Sequence, residues 1–298
     1  MSYFHLNLIL KGKLTVCCLL MLPAIPLNAQ REAKQIGDFK ESISLNEHLR
    51  GTKRTLQYRP DGDEFVCVNG KNRYTRALYG SHSPFRVETS DRPVFAFYNN
   101  GRGGNISFKV ILRDGTELAL DCTGHCESRY SAGKRTYYLT DPSWGKGELR
   151  ISVLALADMD GAIWRFSPSN MPKGAILRWQ HGGATGKRLS RNGDMGVDPA
   201  DCFELPVEAT DLVTGELPLQ KEVYLVRGEV PEGYNVRKLY QQAEAASLAL
   251  ASHLKIETPD PYLNTLGGAL VAAADGIWDG QVWLHGAIGW RMPLSGWR

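Results

Sequence analysis

Over 298 residues, 35 Lys and Arg stand against 32 Asp and Glu, and 43% of positions are hydrophobic. That hydrophobic share supports a packed core, and the formal net charge of +3 gives no reason to expect long-range attraction to nucleic acid or an anionic membrane. An acidic ligand would have to be held by local arginines rather than by the field of the whole protein.

At the N-terminus, Lys11 and Lys13 precede the apolar run Leu14 to Leu22, Pro23 and Pro26 break it, and Leu27-Asn28-Ala29 offers a small-residue cleavage site. The pattern predicts a secretory signal peptide over residues 1–29 and export to the periplasm or beyond. The apolar run falls short of the ~20 residues a membrane-spanning helix needs, so no span is expected. Val16 before Cys17 disfavours a lipoprotein anchor. Cleavage removes two lysines and no acid, which takes the net charge from +3 to +1. It also removes Cys17 and Cys18, leaving Cys67, Cys122, Cys126 and Cys202, which allow three disulfide pairings with nothing to choose among them. The stretch Cys122 to Cys126, with His125, lacks a second ligand pair at a recognisable spacing. No metal and no cofactor are therefore expected.

Short alternating or β-rich runs follow from Arg54 to Arg227, separated by turn residues. They cover 64–68, 93–98, 105–112, 116–121, 135–140, 148–157, 162–166, 175–180 and 221–226. Asp61-Gly62, Asp114-Gly115 and Asp160-Gly161 punctuate them. Two-residue hairpins need positive φ, so the runs flanking the second and third pairs should be antiparallel neighbours. The predicted fold is mainly β, an antiparallel β-sandwich over residues 30–233.

Past Pro231, Leu239, Ala243, Ala246, Leu250 and Leu254 share one face of a linker helix within 234–258. Thr258-Pro259 ends it. Asp260 then caps a second helix with Pro261 at its first position and Leu263, Leu266, Leu270, Ala273 and Ile277 as its expected apolar face. Gly267, Gly268 and the alanines 269, 272, 273 and 274 give that helix a thin surface open to close approach. Residues 259–298 read as the start of an α-helical region that is too small to cover its own apolar surface.

Several motifs fail on inspection. Gly182 to Lys187 lacks the first glycine and the Ser or Thr of a phosphate loop, and Asp158-Met-Asp160-Gly161 lacks the distal ligands of a calcium loop and reads as a hairpin turn. Asp275 and Asp279 lie one helical turn apart and are a formal acid/base pair, although two acids so spaced more often share a solvated face. Four of the seven tryptophans fall in the last 21 residues. Trp278, Asp279, Trp283, His285, Trp290, Arg291, Trp297 and Arg298 mix flat aromatic faces with hydrogen-bonding groups, as a sugar ring requires. Helix packing explains the same residues equally well.

The stretches Asn72 to Gly80, Val153 to Asp158, Thr258 to Gly268 and Leu284 to Arg298 resemble exported bacterial proteins of polysaccharide utilisation. That family, which includes the uncharacterised domain of unknown function 4450, joins an N-terminal β-sandwich to a six-hairpin (α/α)6 toroid of the glycoside hydrolase type. The resemblance implies an oligo- or polysaccharide partner, with His285, Trp290, Arg291 and Trp297 lining the sugar pocket. The catalytic acids would lie in toroid helices beyond residue 298. A chain that ends after the first of those helices should be inactive alone, and the competing expectation is a non-catalytic carbohydrate-binding or interaction module.

Overall fold

A computed structural model describes residues 57–99, 102–183, 212–230 and 232–285, all within one compact unit that begins at Gln57. The predicted signal peptide, Cys202, the glycine-rich loop beyond Gly183 and the tryptophans at 290 and 297 lie outside the described residues. No described helix is long and apolar enough to cross a membrane.

The chain is mainly β, with two antiparallel sheets. The first, sheet A, runs in the order β1 (Arg59–Asp61), β2 (Glu64–Val68), β8 (His125–Ser131), β9 (Lys134–Thr140), β10 (Glu148–Ala155), β11 (Gly161–Ser169) and β14 (Val223–Gly228). Sheet B runs β13 (Val213–Pro218), β12 (Ile176–Gly183), β6 (Arg102–Ile111), β5 (Phe95–Asn99), β4 (Arg86–Thr89) and β3 (Arg76–Leu78), with β7 (Glu117–Ala119) also paired to β6. Asp114-Gly115 joins β6 to β7 and Asp160-Gly161 opens β11 from β10, both antiparallel as expected. Asp61-Gly62 turns a third hairpin, β1 to β2.

Alternate residues of the two inner faces form one core. At its centre Phe95 of sheet B meets Tyr137 and Trp164 of sheet A edge-on, both at 5.7 Å between centroids, and Phe108 meets Phe166 at 5.1 Å. Each such pair adds about 0.5–1.5 kcal/mol beyond the area it buries, so these contacts fix how the sheets stack.

Two helices lie against this sandwich. Helix α1 (Val236–Ala251), capped by Asn235 accepting from the Lys238 amide at 3.0 Å, buries Leu239, Tyr240 and Ala243. They pack on Leu154, Leu156 and Ile163, on the opposite face of sheet A from the main core. Helix α2 (Pro261–Gly276) starts as the sequence predicts, with Asp260 accepting from the Tyr262 amide at 2.8 Å. Asn264 closes the same turn by donating to the Thr258 carbonyl at 2.8 Å and accepting from the Thr258 amide at 2.7 Å.

The expected apolar face of α2 is only partly the buried one. Leu263 and Leu270 are exposed, while Thr265, Gly267, Ala272 and Gly276 are buried and Leu266 packs on the core. Small residues win because the approach is close: a Cβ on Gly267 would lie 2.6 Å from the Leu254 carbonyl oxygen, and one on Gly276 would lie 2.4 Å from the Tyr79 ring. Leu270→Gln should therefore shift stability by less than about 0.5 kcal/mol. Ala272→Leu should cost about 1–3 kcal/mol by overpacking, with urea denaturation midpoints as the readout.

Candidate functional site

Sheet B has a seam. Strand β5 pairs with β6 as far as Phe95 opposite Ile106, and β7 takes up the same edge only at Ala119 opposite Lys109. Neither strand pairs Ser107 or Phe108 on that side. A groove of about 660 Å³ opens there, lined by Asn105, Ser107 and Lys109 of β6, Gln180 of β12, Ala119, Asp121, the turn Ser90 to Val94 and the loop Lys71 to Arg73. Asn105, Ser107 and Lys109 sit at alternate positions and so share one face of the sheet, and Gln180 lies directly across from Ser107. The side chains of Asn105, Ser107 and Gln180 make no hydrogen bond among the described residues.

The walls of the groove are fixed by a buried polar knot around Asp91, itself fully buried. Asp91 accepts from the Asn72 amide at 2.9 Å, from Tyr58 and from Thr75 at 3.4 Å, and faces Arg135 at 3.5 Å. Its amide donates to the Asn72 carbonyl at 2.9 Å, and the Tyr74 amide donates to Ser90 at 2.8 Å. These bonds clamp the loop carrying Lys71, Asn72 and Arg73 onto the turn carrying Arg92. Arg135 also donates to the Ser90 carbonyl and to Ser128, while Tyr137 donates to the same carbonyl at 2.8 Å. Burial pushes the Tyr58 and Tyr137 hydroxyls above their usual range, so both act as donors here.

Arg92 bridges the seam. Its guanidinium donates to the carbonyls of Asp121 at 3.1 Å and Thr123 at 2.8 Å, and no ion pair to a carboxylate satisfies it among the described residues. Lys71, exposed on the rim, has neither a hydrogen bond nor an ion pair among the described residues. Lys109 reaches Glu117 at 3.5 Å, and Glu117 also pairs with Arg178 at 2.9 Å.

On the outer face of sheet A a second cavity, about 550 Å³, includes Tyr138, Glu127, Glu148 and Arg150. Guanidinium groups from both neighbouring strands, Arg129 at 5.8 Å and Arg150 at 5.3 Å, stack over Tyr138. Its ring is thereby flanked by two cations although still exposed, and Glu127 is held by Arg129 at 2.6 Å.

The residues singled out in the sequence fall elsewhere. Trp278 and Trp283 pair across a short hairpin turned by Asp279 and Gly280, with rings 4.7 Å apart and Trp283 56% exposed. Asp279 caps that turn by accepting from the Gln281 and Val282 amides at 2.9 and 2.8 Å. Asp275 instead meets His82 at 3.2 Å, so the two acids serve separate joints. His285 lies exposed just past the hairpin, and Trp290, Arg291 and Trp297 lie outside the described residues. Cys67, Cys122 and Cys126 are free thiols. Cys126 contacts the Asp91 carbonyl oxygen at 3.6 Å, and burial pushes it up to about 12, whereas Cys122 and His125 are exposed.

None of Lys71, Arg92, Asn105, Ser107, Lys109 and Gln180 belongs to a motif, and no local pattern marks the seam that gathers them. The available signal was indirect: the stretch Asn72 to Gly80 begins in the loop that Asp91 clamps. The sequence model of a family described as Domain of unknown function (DUF4450) matches residues 100–229, which is 130 of the 298 residues. No curated protein matches the chain. The matched region, similar to that family, runs from β6 to β14 and supplies the floor of the groove, while Lys71, Arg73 and Arg92 precede it.

Proposed function

We propose that this chain is a non-catalytic, polysaccharide-binding β-sandwich module of an exported protein, holding its ligand in the seam groove of sheet B. The observation that carries the reading is the row Asn105, Ser107 and Gln180, whose amides and hydroxyl are uncommitted among the described residues at the floor of an open groove. Sugar hydroxyls need such bidentate donors and acceptors. Glycosidic cleavage needs two opposed carboxyl groups, and the groove lining contributes one, Asp121. Among the described residues the formal pair Asp275 and Asp279 is divided between two structural contacts, which supports binding over hydrolysis.

A second reading keeps a glycoside-hydrolase-like parent, in which residues 259–298 open a helical toroid and His285, Trp290, Arg291 and Trp297 line its sugar pocket. The exposed Trp283, its ring tilted against that of Trp278, favours a sugar-facing surface at that end.

Isothermal calorimetry of the full chain against a panel of plant and host oligosaccharides separates the two. Gln180→Ala should weaken binding about fivefold, as expected for one lost ligand hydrogen bond, and reducing-sugar release should stay at background. Sugar release above background, or binding that is indifferent to Gln180→Ala and abolished by Trp283→Ala, would overturn the groove reading.

A further inference from the structure

We infer that the seam groove selects saccharides bearing an anionic group, a uronate carboxylate or a sulfate ester, in preference to neutral ones. The inference rests on the binding reading above and goes beyond it to the class of ligand. Three cationic side chains, Lys71, Arg92 and Lys109, line the groove against a single carboxylate, Asp121, and Arg73, which donates to the Tyr74 hydroxyl at 3.2 Å, lines it beside them. Glu117 stands just outside the lining and offsets Lys109 only in part, since at 3.5 Å it is the longer of Glu117's two ion pairs. A chain that is nearly neutral as a whole thus gathers positive charge at one place, and low-dielectric walls focus such a field.

The geometry distinguishes these cations from an ordinary solvated charge run. Arg92 is partly buried and spends its donors on neutral carbonyls, so its charge persists inside the groove uncancelled by a carboxylate among the described residues. It is held rigid by two elements, the turn 90–94 and the segment after β7. Lys71 stands on a loop clamped through Asn72 to Asp91, so its ammonium hangs over the groove from a fixed base. Between them the uncommitted Ser107 and Gln180 can take sugar hydroxyls. An anionic sugar unit would then place its charge against Lys71 and Arg92 and its hydroxyls on the floor, where charge-assisted hydrogen bonds are the strong ones.

The test uses the full chain and one sugar backbone in two charge states: oligogalacturonate and its fully methyl-esterified, neutral form, with a sulfated galactan oligosaccharide as a third arm. The acid or the sulfated sugar should bind at least about tenfold more tightly than the ester, the gain expected from one hydrogen bond to a charged group. That preference should shrink as salt is raised. Lys71→Gln, an exposed substitution that leaves melting unchanged, should remove most of it. Whichever anionic arm binds identifies the carboxylate or the sulfate as the recognised group. Affinity for both the acid and the sulfated sugar no greater than that for the ester would overturn the charge selectivity and leave polysaccharide binding intact. Absence of binding to every arm would remove the binding reading itself and this inference with it.

Discussion

Asp91→Ala is expected to lower the unfolding free energy by about 3–5 kcal/mol, the cost of stranding one partner of a buried ion pair. For a domain of this size that corresponds to a fall of roughly 6–20 °C in melting temperature. Arg135 is the partner left behind: it is 1% exposed, and its Nε already lacks a hydrogen-bond partner among the described residues. Asp91 also accepts from the Asn72 amide and from the Tyr58 and Thr75 hydroxyls, so truncation takes an acceptor from three hydrogen-bond donors besides removing the charge opposite Arg135. Asp91→Asn keeps an acceptor near Asn72 and loses only the charge, and should cost less. Chemical denaturation of the two variants beside the parent checks this, and a midpoint for Asp91→Ala equal to that of the parent would show that the knot bears no weight.

The same substitution connects stability to the groove. Asp91 touches no ligand in the binding scheme above; it is a positioning residue that clamps residues 72–75 to the turn carrying Arg92. Ligand affinity measured well below the melting transition should therefore fall in Asp91→Ala even though Asn105, Ser107 and Gln180 stay in place on β6 and β12. A surface built on Trp278 and Trp283 would be indifferent to it.

The pattern of alternating or β-rich runs found strands such as β2, β9 and β10, and Asp-Gly pairs found the hairpins. It passed over β4 because Arg86 and Glu88 are both buried, paired at 2.6 Å, so charge there does not mark a solvated face. Burial pushes the Glu88 carboxyl above the usual carboxylate range, and Arg86 opposes that shift. It missed β8 because the inward residues Cys126, Ser128 and Tyr130 are only weakly apolar, and β1 and β3 because three residues carry no period. In α2 the leucines misled and the glycines were right: closeness of approach, which hydropathy does not encode, decides which side is buried. The groove is harder still to read, because it is a gap between where β5 stops and β7 starts. Registers of three strands make it, and no local pattern records a register.

The resemblance motifs acquire a physical meaning at one junction. Gly80, at the end of the stretch that begins at Asn72, passes over Leu156 in the stretch Val153 to Asp158. One residue earlier Tyr79 packs on Gly276 of α2, and two residues later His82 meets Asp275. Ser81 and Ser83 both donate to Asp160 of the β10–β11 turn. A cavity of about 180 Å³ beside them is lined mostly by small residues, Ala77, Ala155, Ala157, Ala243, Ala246 and Ala272 among them. Sandwich edge and both helices therefore meet around a cavity lined largely by alanine and glycine, with Tyr79 and His82 reaching across to α2.

That junction yields the second large effect. A Cβ on Gly80 would lie 1.9 Å from the Leu156 carbonyl oxygen and 2.6 Å from its carbonyl carbon, so the obstacle is backbone and cannot rotate away. Leu156 is itself pinned, its amide donating to the Gly161 carbonyl at 2.8 Å across the hairpin. Gly80→Ala must therefore displace either the end of β10 or the segment 79–83 that holds α2, and is expected to cost about 3 kcal/mol, the upper part of the overpacking range. Gly62→Ala is the matched control: at φ +60° with nothing within 4 Å, it should cost only the backbone penalty of about 1–2 kcal/mol. Equal losses for the two variants would mean that the segment at Gly80 gives way freely. Hydrogen exchange refines the outcome, because displacement at Gly80 should speed exchange of amides in α2 and of Leu156 while leaving those of β9 protected.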